Sequence, residues 1–271
     1  MTENDLMLTS ILDCRRVDLA LNKGYLTSSQ KLKCDLMKAR RAEGEPLQYI
    51  LGQCDFMGTA LSVDQRALIP RPETEILVDL AIEKIKSMRE EKTLNVLDLG
   101  VGSGNITIAL LKNIVNITIT ALDISDDALA LAKENASANY VEQKIQFSCR
   151  DMLAYLKDSA HSGKMFDVIV SNPPYIPAGL IHELPEDVRR EPRIALDGGE
   201  DGLRFYRTII EYGWQILDPK GFLIMEIGDG QHDAIESIFA RYPRYAVIHF
   251  YKDYVGTKRV VIARMDAQWK N

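Results

Sequence analysis

The segment Val96-Leu97-Asp98-Leu99-Gly100-Val101-Gly102-Ser103-Gly104 constrains this chain more than any other. A short apolar run enters a glycine-rich turn, and residues spaced for a helix, Ile106–Leu111, follow at once. Strand, tight turn and helix together open a parallel βαβ unit. The pattern then repeats. Strands are predicted at Asn95–Leu99, Ile117–Leu122, Ile145–Phe147, Val168–Val170 and Phe222–Glu226, with amphipathic helical segments between most of them. Strands joined by helical crossovers pack as a doubly wound, mostly parallel α/β sheet. Tyr245–Tyr251 and Arg259–Ala263 have no helix between them and predict a terminal hairpin, hence an antiparallel C-terminal strand.

Upstream the periodicity changes. Leu8, Ile11 and Leu12, then Leu32, Leu36 and Met37, recur at helical spacing between Leu6 and about Ala42, with Ser28 or Ser29 placed to cap the second run. Gly44-Glu45-Pro46 ends this unit. A short hairpin is expected where Phe56-Met57 and Ala60-Leu61 flank Gly58-Thr59. After Pro70 and Pro72 a helix is predicted from about Glu73 to Arg89, with Ile76, Leu77, Leu80, Ala81 and Ile85 on one face. These signals divide the chain into a helical N-terminal domain (1–46), a hairpin connector (47–72) and a catalytic α/β domain (73–271).

The charge balance excludes some partners. With 33 Lys+Arg against 39 Asp+Glu the formal charge is -6, which argues against a broad electrostatic grip on nucleic acid. Cys14, Cys34, Cys54 and Cys149 lie far apart, so buried free thiols are expected, with neither a zinc site nor disulfides. The polar start lacks the pattern of a signal peptide, and no apolar run approaches the ~18 residues of a membrane span. A cytoplasmic protein without a membrane segment is expected.

The glycine turn points to a nucleoside ligand. Bare backbone at a helix N-terminus admits close approach of a ligand, and Asp123, closing the next strand, stands where a carboxylate accepts from ribose hydroxyls. The spacing is Gly-x-Gly-x-Gly, unlike that of dinucleotide enzymes, and Asp98 would repel a pyrophosphate. Both features favour S-adenosylmethionine over a nicotinamide cofactor. The candidate cofactor residues are Gly100, Val101, Gly102, Ser103, Gly104 and Asp123, with Asp151 and Met152 beyond the third strand as candidates for the adenine, and Asn172.

The second motif is chemical. Phe166–Ser171 is a strand that runs into Asn172-Pro173-Pro174-Tyr175, and in open α/β sheets ligands collect at the carboxyl ends of strands. The two prolines stiffen the turn. A planar NH2 group conjugated to a carbonyl or a ring is a poor nucleophile because its lone pair is delocalised. If the Asn172 side-chain oxygen and the Pro173 carbonyl each accept one of its hydrogens, the nitrogen is held and polarised toward an electrophilic methyl group. Tyr175 is expected to wall the planar group. Asn172, Pro173 and Tyr175 are therefore the catalytic candidates, and Asn172 through Tyr175, with Pro174, the substrate pocket. No metal is required: His161, His182, His232 and His249 are scattered without ligand spacing.

A glycine-rich nucleoside loop followed by Asn-Pro-Pro-Tyr resembles the methyltransferases of planar amino groups. Gly44-Glu45-Pro46-Leu47-Gln48-Tyr49-Ile50-Leu51-Gly52 and Leu68-Ile69-Pro70-Arg71-Pro72-Glu73-Thr74-Glu75 are similar to segments that mark the release factor glutamine methyltransferase family (PrmC/HemK). Glu191-Pro192, Ala195 through Gly199, Asp201-Gly202-Leu203, Glu226-Ile227-Gly228 and Asp253 through Arg259 extend the resemblance over about residues 44 to 264. It implies a class I S-adenosylmethionine methyltransferase fold, and a methyl-donor site at Gly100, Gly102, Gly104, Asp123 and Asn172. It also implies a glutamine pocket at Asn172, Pro173, Pro174 and Tyr175, and peptide-chain release factors as the partners, gripped by the helical domain. Val101 stands where the family more usually has threonine, and the helical region is short for the family. Asp229, after Gly228, is read as a helix cap. A ribosomal-protein glutamine methyltransferase, and behind it an adenine-amino DNA methyltransferase, are the alternatives; a cofactor-binding regulator without catalysis is a third, disfavoured by the intact Asn172 loop.

Overall fold

A computed structural model of the chain describes residues 2–21, 26–88, 92–160 and 162–266. The N-terminal unit contains helices α1 (Glu3–Leu12), α2 (Arg16–Leu21), α3 (Ser28–Ala42) and α4 (Leu47–Leu51). Thr2 with Asp5 and Thr27 with Gln30 form reciprocal capping boxes at the starts of α1 and α3. The cap of α3 is thus Thr27 and not Ser28 or Ser29, because only Thr27 has a side chain three residues on that reaches back to its own N–H. The helical spacing holds, but its burial is reversed on α3. Leu32 and Leu36 are 62% and 56% exposed, while Cys34 on the opposite side is buried. Periodicity identified the helix; packing against α1 decided which stripe faces inward.

The short helix α4, absent from the sequence expectation, opens the connector and ends at Gly52. The hairpin follows as β1 (Gln53–Phe56) and β2 (Thr59–Ser62). Its two central residues are Met57 and Gly58, one position earlier than expected, both left-handed with φ of 51° and 70°. This is the mirror-image turn that matches strand twist. Met57 tolerates it because its N–H donates to Glu75 Oε1 at 2.9 Å, on helix α5 (Pro72–Ser87). Pro72 sits in the first turn of α5, where its missing donor costs nothing. Arg89, the expected end of this helix, lies outside the described residues.

The α/β domain runs β3 (Leu94–Leu99), α6 (Asn105–Asn113), β4 (Ile117–Asp123), α7 (Asp126–Ala138), β5 (Ile145–Cys149), α8 (Met152–Ser159) and β6 (Phe166–Ser171). After α9 (Glu186–Arg189) come α10 (Arg204–Ile216), β7 (Leu217–Glu226), α11 (His232–Phe239), β8 (Tyr245–Lys252) and β9 (Lys258–Met265). The seven strands lie in the order β5-β4-β3-β6-β7-β9-β8, and β9 runs antiparallel to both of its neighbours. All the strands anticipated from sequence are present, each somewhat longer than its apolar run.

Two cores sandwich the sheet. Successive residues of a strand point to opposite faces, so Val96 joins Leu77, Ala81, Ile108 and Ile119 on one side. Leu97 and Leu99 join Ile169, Tyr206, Ile210 and Leu223 on the other. A sheet covered on both faces explains why the strands read as continuous apolar runs. Each fully buried Leu or Ile contributes roughly 1.5–3 kcal/mol, so this sandwich holds the carboxyl ends of β3 and β6 rigidly in place. The four cysteines are free, but the expectation of burial holds only for Cys34; Cys14 and Cys54 are partly exposed and Cys149 is exposed. Among the described residues no helix is long and apolar enough to cross a membrane.

Candidate active site

Chain direction in the sheet creates the site. From β3 the chain steps through β4 to β5, then returns to the other side of β3 to lay down β6. Beside β3 the loops leaving the two adjacent strands diverge to opposite faces, opening a crevice at their carboxyl ends. The loop after β3 is the glycine turn, and the loop after β6 begins with Asn172. Ser171 Oγ donates to Leu99 O at 2.7 Å and ties the two strand ends together. One cavity is lined by Gly100 to Ser103, Asp123, Asp151, Met152, Asn172 and Pro174, with Arg66 to Arg71 and Thr74 forming another wall.

The glycine turn is held by the strand beside it. Gly100 and Val101 donate their N–H groups to Leu122 O at 2.9 and 2.8 Å. Gly100 has φ 81°, and a Cβ there would also meet Met152 Cε at 3.1 Å, so glycine is needed for both conformation and space. Asp123 accepts from Gly102 N–H at 2.9 Å and from Ser125 N–H at 3.0 Å, bracing the turn while it faces the cavity. Burial pushes its carboxyl above the ordinary aspartate value. Gly104 does not line the cavity. It caps α6 with φ 86°, and a Cβ on it would crowd Ile108 and Ala132, which makes it a packing glycine.

Asp98 is fully buried beneath this turn. Its Oδ2 accepts from Thr107 Oγ1 at 2.6 Å, whereas Oδ1 has no partner. Burial, above all, raises its pKa to about 7. The hydroxyl of Ser103, on the cavity wall, is also buried without a partner. Buried polar atoms are ordinarily satisfied. Asp98 is not itself on the cavity wall, but its unpaired oxygen lies behind the glycine turn. Together with the Ser103 hydroxyl, the backbone of the turn and Asp123, which do line the cavity, it fits a ligand that brings a cationic amine and a nucleoside. S-adenosylmethionine is such a molecule.

The Asn172 loop is stitched in from several sides. Asn172 Nδ2 donates to Thr74 Oγ1 at 3.2 Å, and Thr74 Oγ1 donates to Glu226 Oε2 at 2.6 Å. Pro173 is buried and is not on the cavity wall, whereas Pro174 is. Tyr175 is also absent from that wall: it packs into the second core and its hydroxyl donates to Glu226 Oε1 at 3.4 Å. The backbone beyond Tyr175 pairs with residues 196–199: Ile176 N–H donates to Leu196 O, Gly198 N–H to Ile176 O, and Ala178 N–H to Gly199 O. Gly202 lies so close that a Cβ would fall 2.3 Å from Tyr175 O. Gln231 completes the frame. Its Oε1 accepts from Gly228 N–H at 3.0 Å and its Nε2 donates to Tyr175 O at 2.9 Å. Asp229 is accordingly not the cap of α11; Gln231 occupies that position.

Asp151 and Met152 both line the cavity. Asp151 is at the same time the cap of α8, accepting from Leu153 N–H at 2.9 Å, two residues beyond the end of β5. His182 and His249 are exposed and His232 is partly buried against Phe250; His161 lies outside the described residues. Among the described residues no three His, Cys, Asp or Glu side chains gather to hold a metal ion. Thr74, Glu226, Glu191 and Gln231 received no role from the sequence. Glu191 is buried and pairs with Arg71 while accepting from Ile69 N–H at 2.9 Å, pinning the 66–71 wall. The signal for these residues lay in the family-like segments, which marked positions without saying what they touch.

Comparison with known proteins agrees with this architecture. The family model described as PrmC N-terminal domain matches residues 2–52, and that described as Methyltransferase small domain matches residues 78–183. A release factor glutamine methyltransferase from Thermodesulfovibrio yellowstonii is 37% identical over 94% of this chain and 89% of its own. One from Geobacter sulfurreducens is 39% identical over 88% and 81%. Among solved structures, a methyltransferase from Pyrococcus furiosus shares the fold at 16% identity, with a TM-score of 0.53 over 89% of this chain and all of that one. With identity at this level along most of both chains, this protein belongs to the release factor glutamine methyltransferase family and uses S-adenosylmethionine as its methyl donor.

Proposed function

We propose that this protein methylates the side-chain amide nitrogen of the glutamine in the Gly-Gly-Gln motif of peptide-chain release factors. The observation that carries the reading is that the glycine turn and Asn172 open onto one cavity at the strand-order reversal. S-adenosylmethionine, when bound, supplies an electrophilic methyl group on a sulfonium. Residues Gly100 to Ser103 and Asp123 would hold its nucleoside, Asp98 its cationic amine, and Met152 and Asp151 the far end of the cavity. Asn172 Oδ1 and the Pro173 carbonyl each accept one hydrogen of the glutamine amide. Held that way, the nitrogen would be oriented with its lone pair toward the donor end of the cavity, where the bound cofactor would supply the electrophilic methyl group, and the proton it sheds would leave to water. The protein's contribution is orientation and fixed dipoles. Tyr175 supports the loop from the core side, a different task from the walling expected of it.

In the same reading residues 1–46 grip the release factor, 47–72 connect, and 73–271 catalyse. The outward stripe of Leu32 and Leu36 supports the first of these, since exposed leucines one turn apart suit a protein partner. The reading makes the protein cytoplasmic and asks for no direct contact with nucleic acid. The test is methyl transfer from labelled donor to a purified release factor, a ribosomal protein and duplex DNA side by side, with mass spectrometry to locate the label. Label on the Gly-Gly-Gln glutamine is the expected result. Label on the ribosomal protein or the DNA alone would overturn it.

A further inference from the structure

Behind the Asn172 loop lies a buried hydrogen-bond chain that cofactor binding does not call for. Glu226, at the end of β7, is 1% exposed. Its Oε2 accepts from Thr74 Oγ1 at 2.6 Å and its Oε1 from Tyr175 Oη at 3.4 Å, while Tyr206 Oη donates to its backbone carbonyl at 3.0 Å. Thr74, itself 1% exposed, accepts from Asn172 Nδ2 at 3.2 Å.

The direction of this chain is set by valence. A carboxylate has only acceptors and a hydroxyl has one hydrogen. The Thr74 hydrogen is therefore committed to Glu226, and only lone pairs are left to face Asn172. The asparagine amide must turn its NH2 toward Thr74. The opposite flip would require Thr74 to donate to Oδ1, withdrawing the hydrogen from a buried carboxylate, where an unmade bond to a charged group is most costly.

We infer that Thr74 and Glu226 are positioning residues which lock the flip of the Asn172 side chain, so that its carbonyl oxygen and not its NH2 faces the substrate amide. The inference rests on the proposed role of Asn172 as acceptor for that amide. A buried carboxylate costs the fold stability, and here it is linked, through the single hydroxyl of Thr74, to the one side chain whose two faces must not be exchanged. The locking requires the ionised form: a protonated Glu226 would itself become a donor. Burial pushes its pKa up to about 7; Thr74, Tyr175 and Arg259 pull it down and Glu73 raises it, with Tyr206 also against it.

The experiment is steady-state methylation of a release factor by the full-length Thr74→Val, Thr74→Ser, Glu226→Gln and Asn172→Ala variants, with pH profiles of kcat. Thr74→Val should lose about tenfold or more in kcat, the worth of one preorganised hydrogen bond, while donor KM stays within about twofold, and Thr74→Ser should restore most of the loss. The wild-type kcat should rise through about pH 7, and Glu226→Gln, which is uncharged at every pH, should lack that limb. Asp98 titrates in both proteins, so the difference belongs to Glu226. If Thr74→Val keeps the wild-type kcat while Asn172→Ala collapses, the lock is refuted and the site reading stands. If Asn172→Ala itself turns over normally, the site reading fails first. Should Thr74→Val not fold, Glu226→Gln decides alone: a pH profile unchanged from wild type refutes the lock.

Discussion

Asp98 offers the sharpest test of where the methyl donor sits. It is a fully buried carboxyl with Oδ2 accepting from Thr107 and Oδ1 without a partner in the protein. The rise of its pKa from 3.8 to about 7 corresponds to a penalty on the order of 4 kcal/mol on the ionised form. The sign follows from proton uptake. Between pH 3.8 and 7 the folded state binds the proton more readily than the unfolded one, so this group's contribution is complete below pH 3.8 and is lost as pH rises through 7. Asp98→Asn removes the charge and leaves an unpaired amide donor, costing about 1–3 kcal/mol. The variant should therefore gain roughly 1–3 kcal/mol in free-protein stability at pH 8, or several degrees in Tm for a domain of this size. Donor binding should move the opposite way. Losing a charge-assisted contact to a cationic amine costs about 1.5–3 kcal/mol, or about 10–100-fold in Kd. Calorimetric titration and thermal melts at pH 6 and 8 provide the measurements. Wild-type affinity should fall below pH 7, where Asp98 must release a proton to bind, and the variant should lack this slope. An Asp98→Asn protein that binds the donor with wild-type Kd at both pH values would refute the assignment.

Asn172→Ala should lower single-turnover methyl transfer by about 10²–10³, with a much smaller change in donor Kd; Asn172→Asp should also be poor, since its charge favours the donor sulfonium in the ground state, and near wild-type transfer by either variant would break the amide-holding account. Asp123→Ala should weaken donor binding by about 1.5–3 kcal/mol through lost ribose acceptors. Because Asp123 also accepts from Gly102 and Ser125, calorimetry should be paired with circular dichroism to verify the fold. A folded release factor should be methylated far better than a Gly-Gly-Gln peptide, and truncation to start near Pro70 should harm protein methylation more than donor binding; equal rates on the peptide would remove the docking role of residues 1–46.

Much of this protein was legible in its sequence, for local reasons. Short apolar runs identified the strands, since a strand buried on both faces reads as largely apolar. The glycine turn and Asn-Pro-Pro-Tyr declared themselves because their chemistry needs those residue types at consecutive positions. Helix caps and the burial of α3 were less legible. Ser28, Ser29 and Thr27 differ as caps only through which of them has Gln30 three residues on, and Leu32 and Leu36 look like core until the helix has chosen its neighbour.

What tertiary structure alone decided is the environment behind the motifs. Thr74, Glu226 and Tyr175 lie on a helix, a strand end and a loop far apart along the chain, yet they meet in one buried network behind Asn172. Gln231, which received no role from the sequence, holds Tyr175 in place. Periodicity reports which side of an element is apolar, and a motif reports consecutive chemistry. Neither reports which distant polar groups will be brought within hydrogen-bonding distance, because that depends on strand order, and the reversal beside β3 is a property of the whole sheet.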